Sequence, residues 1–354
     1  MSSVDLPALP GLLSPGQVRT TAATIARVQE SSGAIPWFPG GQVDPWDHVE
    51  CAMALLVGGE VAAAERAYDW MLATQRPDGS WPMRTTAGVV EDAATDSNMC
   101  AYLAVGVWHH WLVRRDEESL VRRWPAVRRA LDLVTSLQLT FGGIAWASNA
   151  LGSTMETALV AGSSSIYQAL RCGLALSELV DEPQPGWELA AGRLAHALRE
   201  QENLFESKSR YSMDWYYPVL GGVVRGSTAR SRLVERWDDF VVPGLGVRCV
   251  EDRPWVTGAE TCELVLGLDT LGERESALSL LSDIQHLRDA DGSYWTGYVY
   301  PDRARWPEER STWTAAAVIL AVDALSDTTS GSAIFRATML PSVDGISGVT
   351  AHAR

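Results

Sequence analysis

The chain has 354 residues, 46% of them hydrophobic, enough for one large core or two small ones. Its 29 basic residues stand against 44 acidic ones, a formal net charge of −15, which argues against nucleic acid or an anionic membrane as a main partner. Five Cys, at 51, 100, 172, 249 and 262, form no CxxC pair and read as reduced, buried thiols of a cytoplasmic protein, and neither a signal peptide nor a transmembrane segment is expected.

In chain order, residues 1–13 read as an extended arm. Ser14-Pro15 then opens a helix with Ser as N-cap and Pro in its first turn, ending at Gln29. A Gly/Pro-rich loop leads through Asp44-Pro45-Trp46-Asp47 into an apolar helix from Cys51 to Val57. The same cycle then repeats. Amphipathic helices over 61–75, 117–138, 186–201, about 228–239 and 273–287 each lead, through a loop, to an apolar helix starting near 96, 163, 214, 257 and 311. An apolar run such as Ala315-Ala316-Ala317-Val318-Ile319-Leu320-Ala321 belongs to a helix buried on all sides. Period-two runs are absent apart from short loop strands at Val241-Val242 and Tyr298-Val299-Tyr300. The expected fold is all-α, an (α/α)6 barrel of six outer and six inner helices over residues 1–326, with a Ser/Thr/Gly-rich C-terminal tail over 327–354.

Four of the outer-to-inner joints share a pattern of Gln, then Gly, then Trp: Gln29/Gly33/Trp37, Gln75/Gly79/Trp81, Gln138/Gly143/Trp146 and Gln285/Gly292/Trp295. Gly permits the positive φ that ends a helix tightly, and Gln can tie the turn to neighbouring backbone. The stretch Gln75-Arg76-Pro77-Asp78-Gly79-Ser80-Trp81, with Arg66-Ala67 and Trp70 before it, resembles the QW motif of the squalene and terpenoid cyclases, a family that shares the α/α toroid with the protein prenyltransferases. The whole chain is also similar to actinobacterial proteins labelled prenyltransferase. The resemblance implies an enzyme acting by acid catalysis on an isoprenoid or related small molecule in the barrel cavity. It implies neither zinc nor another cofactor here, because His48, His109, His110, His196, His286 and His352 do not follow the Cys residues in the prenyltransferase arrangement. The cyclase DxDD acid is absent too; Glu91-Asp92-Ala93-Ala94-Thr95-Asp96 is the nearest stretch.

The run Trp124-Pro125-x-Val127-x-x-Ala130-Leu131-Asp132, ending in Gln138 and Trp146, is similar to six-hairpin glycosidases as well. That alternative requires two opposed carboxylates and a sugar substrate. A toroid that binds without catalysis is a third reading. All three place a small-molecule site where the outer-to-inner loops converge. The candidate catalytic acids there are Asp92, favoured as proton donor, Asp96 as its charged partner, Asp214 across the barrel, Asp47 and Glu260. The candidate substrate contacts are Trp46, His48, Glu50, Trp81, Asn98, Glu156, Tyr167, Trp215, Tyr216, Tyr217, Trp255, Trp295, Tyr298 and Trp313. Each has a plainer reading: Asp47, Asp96 and Asp214 suit N-caps, His48 a structural hydrogen bond, and Glu260 with Glu263 a pairing to Arg248 or Arg253.

Overall fold

The computed structural model describes residues 5–342. Six inner helices, α2 (Pro45–Val57), α4 (Ser97–Arg114), α6 (Val160–Leu179), α8 (Ser212–Leu220), α11 (Gly258–Leu271) and α13 (Thr312–Ser326), close into a ring in which each packs on the next and α13 returns to α2. The outer helices are α1 (Pro15–Val28), α3 (Val61–Thr74), α5 (Glu117–Ser136), α7 (Pro185–Glu200), α9 (Gly226–Glu235), followed by the short α10 (Trp237–Phe240), and α12 (Arg274–Asp283). This is the expected (α/α)6 barrel.

Burial separates the two sets. Every residue of α2 and every residue from Thr312 to Leu325 of α13 is buried. In α1 the buried positions are Val18, Thr21, Ala22, Thr24 and Ile25, one stripe at helical spacing. Ser14 caps α1 in a reciprocal capping box with Gln17, so the helix begins where its sequence signals place it.

The Gln joints are the mechanical links of the outer ring. The Gln29 side-chain amide donates to Gly33 O and to Ala63 O in α3, both at 2.9 Å. Gln75 does the same to Gly79 O (3.0 Å) and Ala126 O in α5 (2.9 Å), and Gln138 to Gly142 O and Ala190 O in α7 (both 2.9 Å). Each Gln therefore closes its own turn and bolts it to the following outer helix. Gly79 has φ +94°, and a Cβ there would lie 2.3 Å from Arg129 O of α5, so the turn admits only Gly. In the third joint the left-handed residue is Gly142, one before the expected Gly143. Gln285 departs from the pattern, donating to Leu281 O and accepting from the Tyr294 hydroxyl. Trp37, Trp81, Trp146 and Trp295 all lie in outer-to-inner connections, hence at one end of the ring.

That end also carries short strands, among them Val241–Val242 and Gly297–Val299 close to the two loop strands expected from the sequence, and others it gave no sign of. Gln42–Val43, Arg84–Thr86 and Val89–Asp92 form one antiparallel sheet, and Thr95–Asp96 pairs with Ala147–Ser148. A five-stranded sheet joins Val241–Val242 and Gly246–Arg248 to Trp255–Thr257, Gly297–Val299 and Ala304–Arg305. Of the segment expected as a tail, residues 327–342 fold into turns whose Ile334, Phe335 and Leu340 join the main core, while 343–354 lie outside the described residues. No helix among the described residues is long and apolar enough to cross a membrane.

Candidate active site

Where the loops converge, a cavity of about 280 Å³ opens between the inner-helix N-termini. Asp44, Trp46 and Asp47 from the start of α2, Asp96, Asn98 and Met99 from α4, Ala161, Gly162 and Ser163 from α6, Met213 and Tyr217 from α8 and Trp313 from α13 line it, with Trp37, Ile144, Trp146 and Leu159 from the loops. Trp313 stands edge-on to both Trp37 and Trp46, with ring centroids 5.6 and 5.7 Å away, and Trp46 leans on Tyr102 at 4.9 Å. One wall is thus a continuous aromatic cluster.

Carboxylates run inward from this wall. Asp44, Asp47 and Glu50 follow one another at spacing three on α2, which puts them along one helix face. Asp44 accepts from the amides of Trp46 (3.0 Å) and Asp47 (2.9 Å), and the Asp47 carboxyl donates its proton to Asp44. Burial, then the Asp44 charge, pushes Asp47 well above the usual carboxylate range, with Glu50 and Glu263 adding to the rise. Glu50 is pushed up to about 8 by burial, although Trp313 Nε1 donates to it at 3.3 Å. Glu263 of α11 accepts from the hydroxyls of Tyr216 and Tyr217, the latter at 2.5 Å; burial and the Glu50 charge raise it.

Four such groups cannot all ionise together in a buried space. Burial raises all four, Asp47 and Glu263 well above the ordinary carboxylate range, while the amide donors on Asp44 and the tyrosine hydroxyls on Glu263 oppose that rise. Asp96 caps α4 through the Met99 amide (3.0 Å); burial outweighs that contact and lifts it to about 6, so it is still largely charged at neutral pH.

The cavity region also holds polar atoms that are buried and have no hydrogen-bond partner among the described residues: Trp37 Nε1, Trp46 Nε1, Asn98 Oδ1 and Ser163 Oγ. An unmet buried group costs about 1–3 kcal/mol.

Of the residues expected from sequence, Asp47, Asp96, Trp46, Asn98, Tyr217 and Trp313 meet in the cavity, with Glu50 and Tyr216 behind them. Glu260 is buried one turn before Glu263, and Cys249 bonds to it. Others are placed elsewhere. Asp92, expected as the acid, ends a hairpin strand and accepts from the Ala94 amide, away from the cavity lining. Asp214 clamps α8 to its neighbours by accepting from the amides of Ala161 (3.2 Å) and Lys208 (3.0 Å). His48 accepts from Ile35 N at 3.1 Å and donates to Ala67 O at 2.9 Å, a structural bridge with no face toward the cavity. Trp81 and Trp215 are buried with their indole N–H groups on Met71 O and Arg232 O. Trp255 bonds Trp306 O, Trp295 lies between Arg305 and Arg310, and Tyr298 stands against His286. Tyr167 lies further along α6 under Arg171, and Glu156 is exposed. Sequence reasoning passed over Glu263 as a site residue, reading it as an arginine partner, and missed the apolar lining from Met99, Leu159 and Met213; spacing on one helix does not show which distant tyrosines will meet it.

No family model matches the chain. Over 336 residues, 95% of this chain and 93% of the relative, it is 58% identical to the MMP endo-(1,4)-3-O-methyl-alpha-D-mannosidase of Mycolicibacterium hassiacum. A solved wild-type glycosidase superposes with a TM-score of 0.71 at 17% identity, covering 89% of this chain and 97% of that one. A D-mannose isomerase superposes with a TM-score of 0.66 at 10% identity, covering 87% and 96%. At such identities the two solved structures show the shared toroid alone. The mannosidase, matched along nearly the whole chain, overturns the expectation of a terpenoid cyclase or prenyltransferase: the Gln75–Trp81 stretch marks the toroid and not the reaction.

Proposed function

Since this chain belongs to the glycosidase family of that Mycolicibacterium hassiacum mannosidase, we propose that it hydrolyses internal α-(1,4) bonds of a 3-O-methylmannose chain, with Asp47 as general acid and Glu263 as general base. The observation that carries this reading is a buried, cavity-lining carboxyl on α2, Asp47, within electrostatic reach of Glu263 on α11, whose carboxyl two tyrosine hydroxyls hold in place, beside a lining with unmet hydrogen-bonding atoms. A hydrocarbon would leave those atoms unmet; a sugar satisfies them.

In the proposed reaction Asp47 gives its proton to the glycosidic oxygen as the bond to the anomeric carbon breaks. Asp44, held by two amide donors and hydrogen-bonded to Asp47, raises Asp47 by its charge and so keeps the proton on it until the transfer. Glu263 removes a proton from the water that attacks the anomeric carbon, and Tyr216 and Tyr217 hold its carboxylate in place. Asp96, charged at neutral pH, stabilises the oxocarbenium-like transition state. Because water attacks from the face opposite the leaving oxygen, the anomeric configuration inverts.

The test uses the purified protein and a 3-O-methylated α-(1,4)-mannooligosaccharide. Internal cleavage with inversion, read by chromatography and proton NMR, is expected. Asp47→Asn should lower kcat by at least about 100-fold while melting near the wild type. An intact substrate, or a folded Asp47→Asn enzyme at full turnover, overturns the proposal.

A further inference from the structure

We infer that the cavity reads the sugar's O-methyl group directly, through an apolar arc formed by Met99, Ile144, Leu159 and Met213, and that this arc sets the preference for methylated over free-hydroxyl mannose. The inference rests on the glycosidase reading above and deepens it.

The arc follows from the order of the ring. Six inner helices in sequence place α8 across from α2 and α6 across from α13. On the α2 and α13 side the lining is Trp37, Asp44, Trp46, Asp47 and Trp313; on the α4, α6 and α8 side Met99, Ile144, Leu159 and Met213 supply apolar surface among Asp96, Asn98, Ser163 and Tyr217. Helix starts divide differently, with α4 among the capped helices. α2, α4 and α13 open on Asp44, Asp96 and Ser311, each of which accepts a backbone amide. α6 and α8 open on Leu159 and Tyr211, with no side-chain cap. Cap positions are where Ser, Thr, Asp or Asn are strongly preferred. Here α6 presents Leu159 to the cavity instead, followed by the small Ala161 and Gly162. Met99 and Met213 sit in the first turns of α4 and α8, and both remain partly exposed at the cavity.

A free hydroxyl facing this arc loses its hydrogen bonds to water and finds no replacement, whereas a methyl ether has no donor to lose. Methionine thioethers are flexible and polarizable, and mould to a small apolar group. In the same cavity lining, Ser163 and Asn98 near the arc and Trp46 across from it carry buried polar atoms without a partner among the described residues. The cavity therefore matches a sugar unit that is methylated on one edge and free on another. One methyl in an apolar pocket supports discrimination of about 10–200-fold.

The experiment compares kcat/KM for matched α-(1,4)-mannotetraoses with and without 3-O-methyl groups. The wild type is expected to favour the methylated chain by about 10–200-fold. Met99→Gln and Met213→Gln should each cut that ratio by about threefold or more, on the same scale of one apolar contact, while leaving the pH profile of the surviving activity in place. Ala161→Ser, too small a change to threaten the fold, should move the ratio in the same direction. Equal cleavage of both chains by the wild type, or folded variants with an unchanged ratio, overturns the inference and leaves the glycosidase reading standing. A wild type that cleaves neither chain overturns both.

Discussion

Glu50→Gln isolates the energetic consequence of burying an acid in the barrel wall. Glu50 is 2% exposed, and burial raises it from an ordinary 4.5 to about 8. The folded protein keeps a proton that the unfolded chain gives up. A raised folded-state pKa means a contribution fully present below the unfolded value and lost as pH rises to the folded one. From 4.5 to 8 is 3.5 units, and at 1.36 kcal/mol per unit the loss is on the order of 5 kcal/mol. Gln has nearly the same shape, its amide oxygen can still accept from Trp313 Nε1, and it has no proton to lose. Urea unfolding at pH 5, 6, 7 and 8 is the assay. The two proteins should lie within about 1 kcal/mol of each other at pH 5, and the variant should gain several kcal/mol on the wild type by pH 8, following the same linkage. Parallel stability curves across that range would refute a protonated Glu50.

Two further outcomes separate structure from chemistry. His48→Ala removes the partner of Ile35 N and Ala67 O and should cost about 2–4 kcal/mol by denaturant unfolding, while kcat per folded molecule changes little; a large fall in kcat at unchanged stability would put His48 into the reaction. Tyr217→Phe withdraws one of the two hydroxyls that favour a charged Glu263, so the acidic limb of kcat/KM should move to higher pH; superimposable profiles would deny Glu263 the role of base.

The helices were legible because inner and outer sets differ in apolar period and because several starts, such as Ser14 before α1, carry caps. Inner starts expected near 163, 214, 257 and 311 are found at Val160, Ser212, Gly258 and Thr312. The loops were not, since strands of two to four residues carry no period, and it is such a strand, Val89–Asp92, that takes Asp92 out of the cavity. Glu263 depends on Tyr216 and Tyr217, 47 and 46 residues away in sequence, a contact made only where α8 and α11 pack side by side. The Gln–Gly–Trp joint was the strongest motif in the chain and pointed to the wrong chemistry for a physical reason. Its Gln bonds reach Ala63, Ala126 and Ala190 on outer helices, and Trp81 plugs the end of α3. It fastens the outer ring, which any toroid needs whatever it binds. The residues proposed to react stand in the first two turns of inner helices, away from the joints, so a motif of the first kind carries no information about the second.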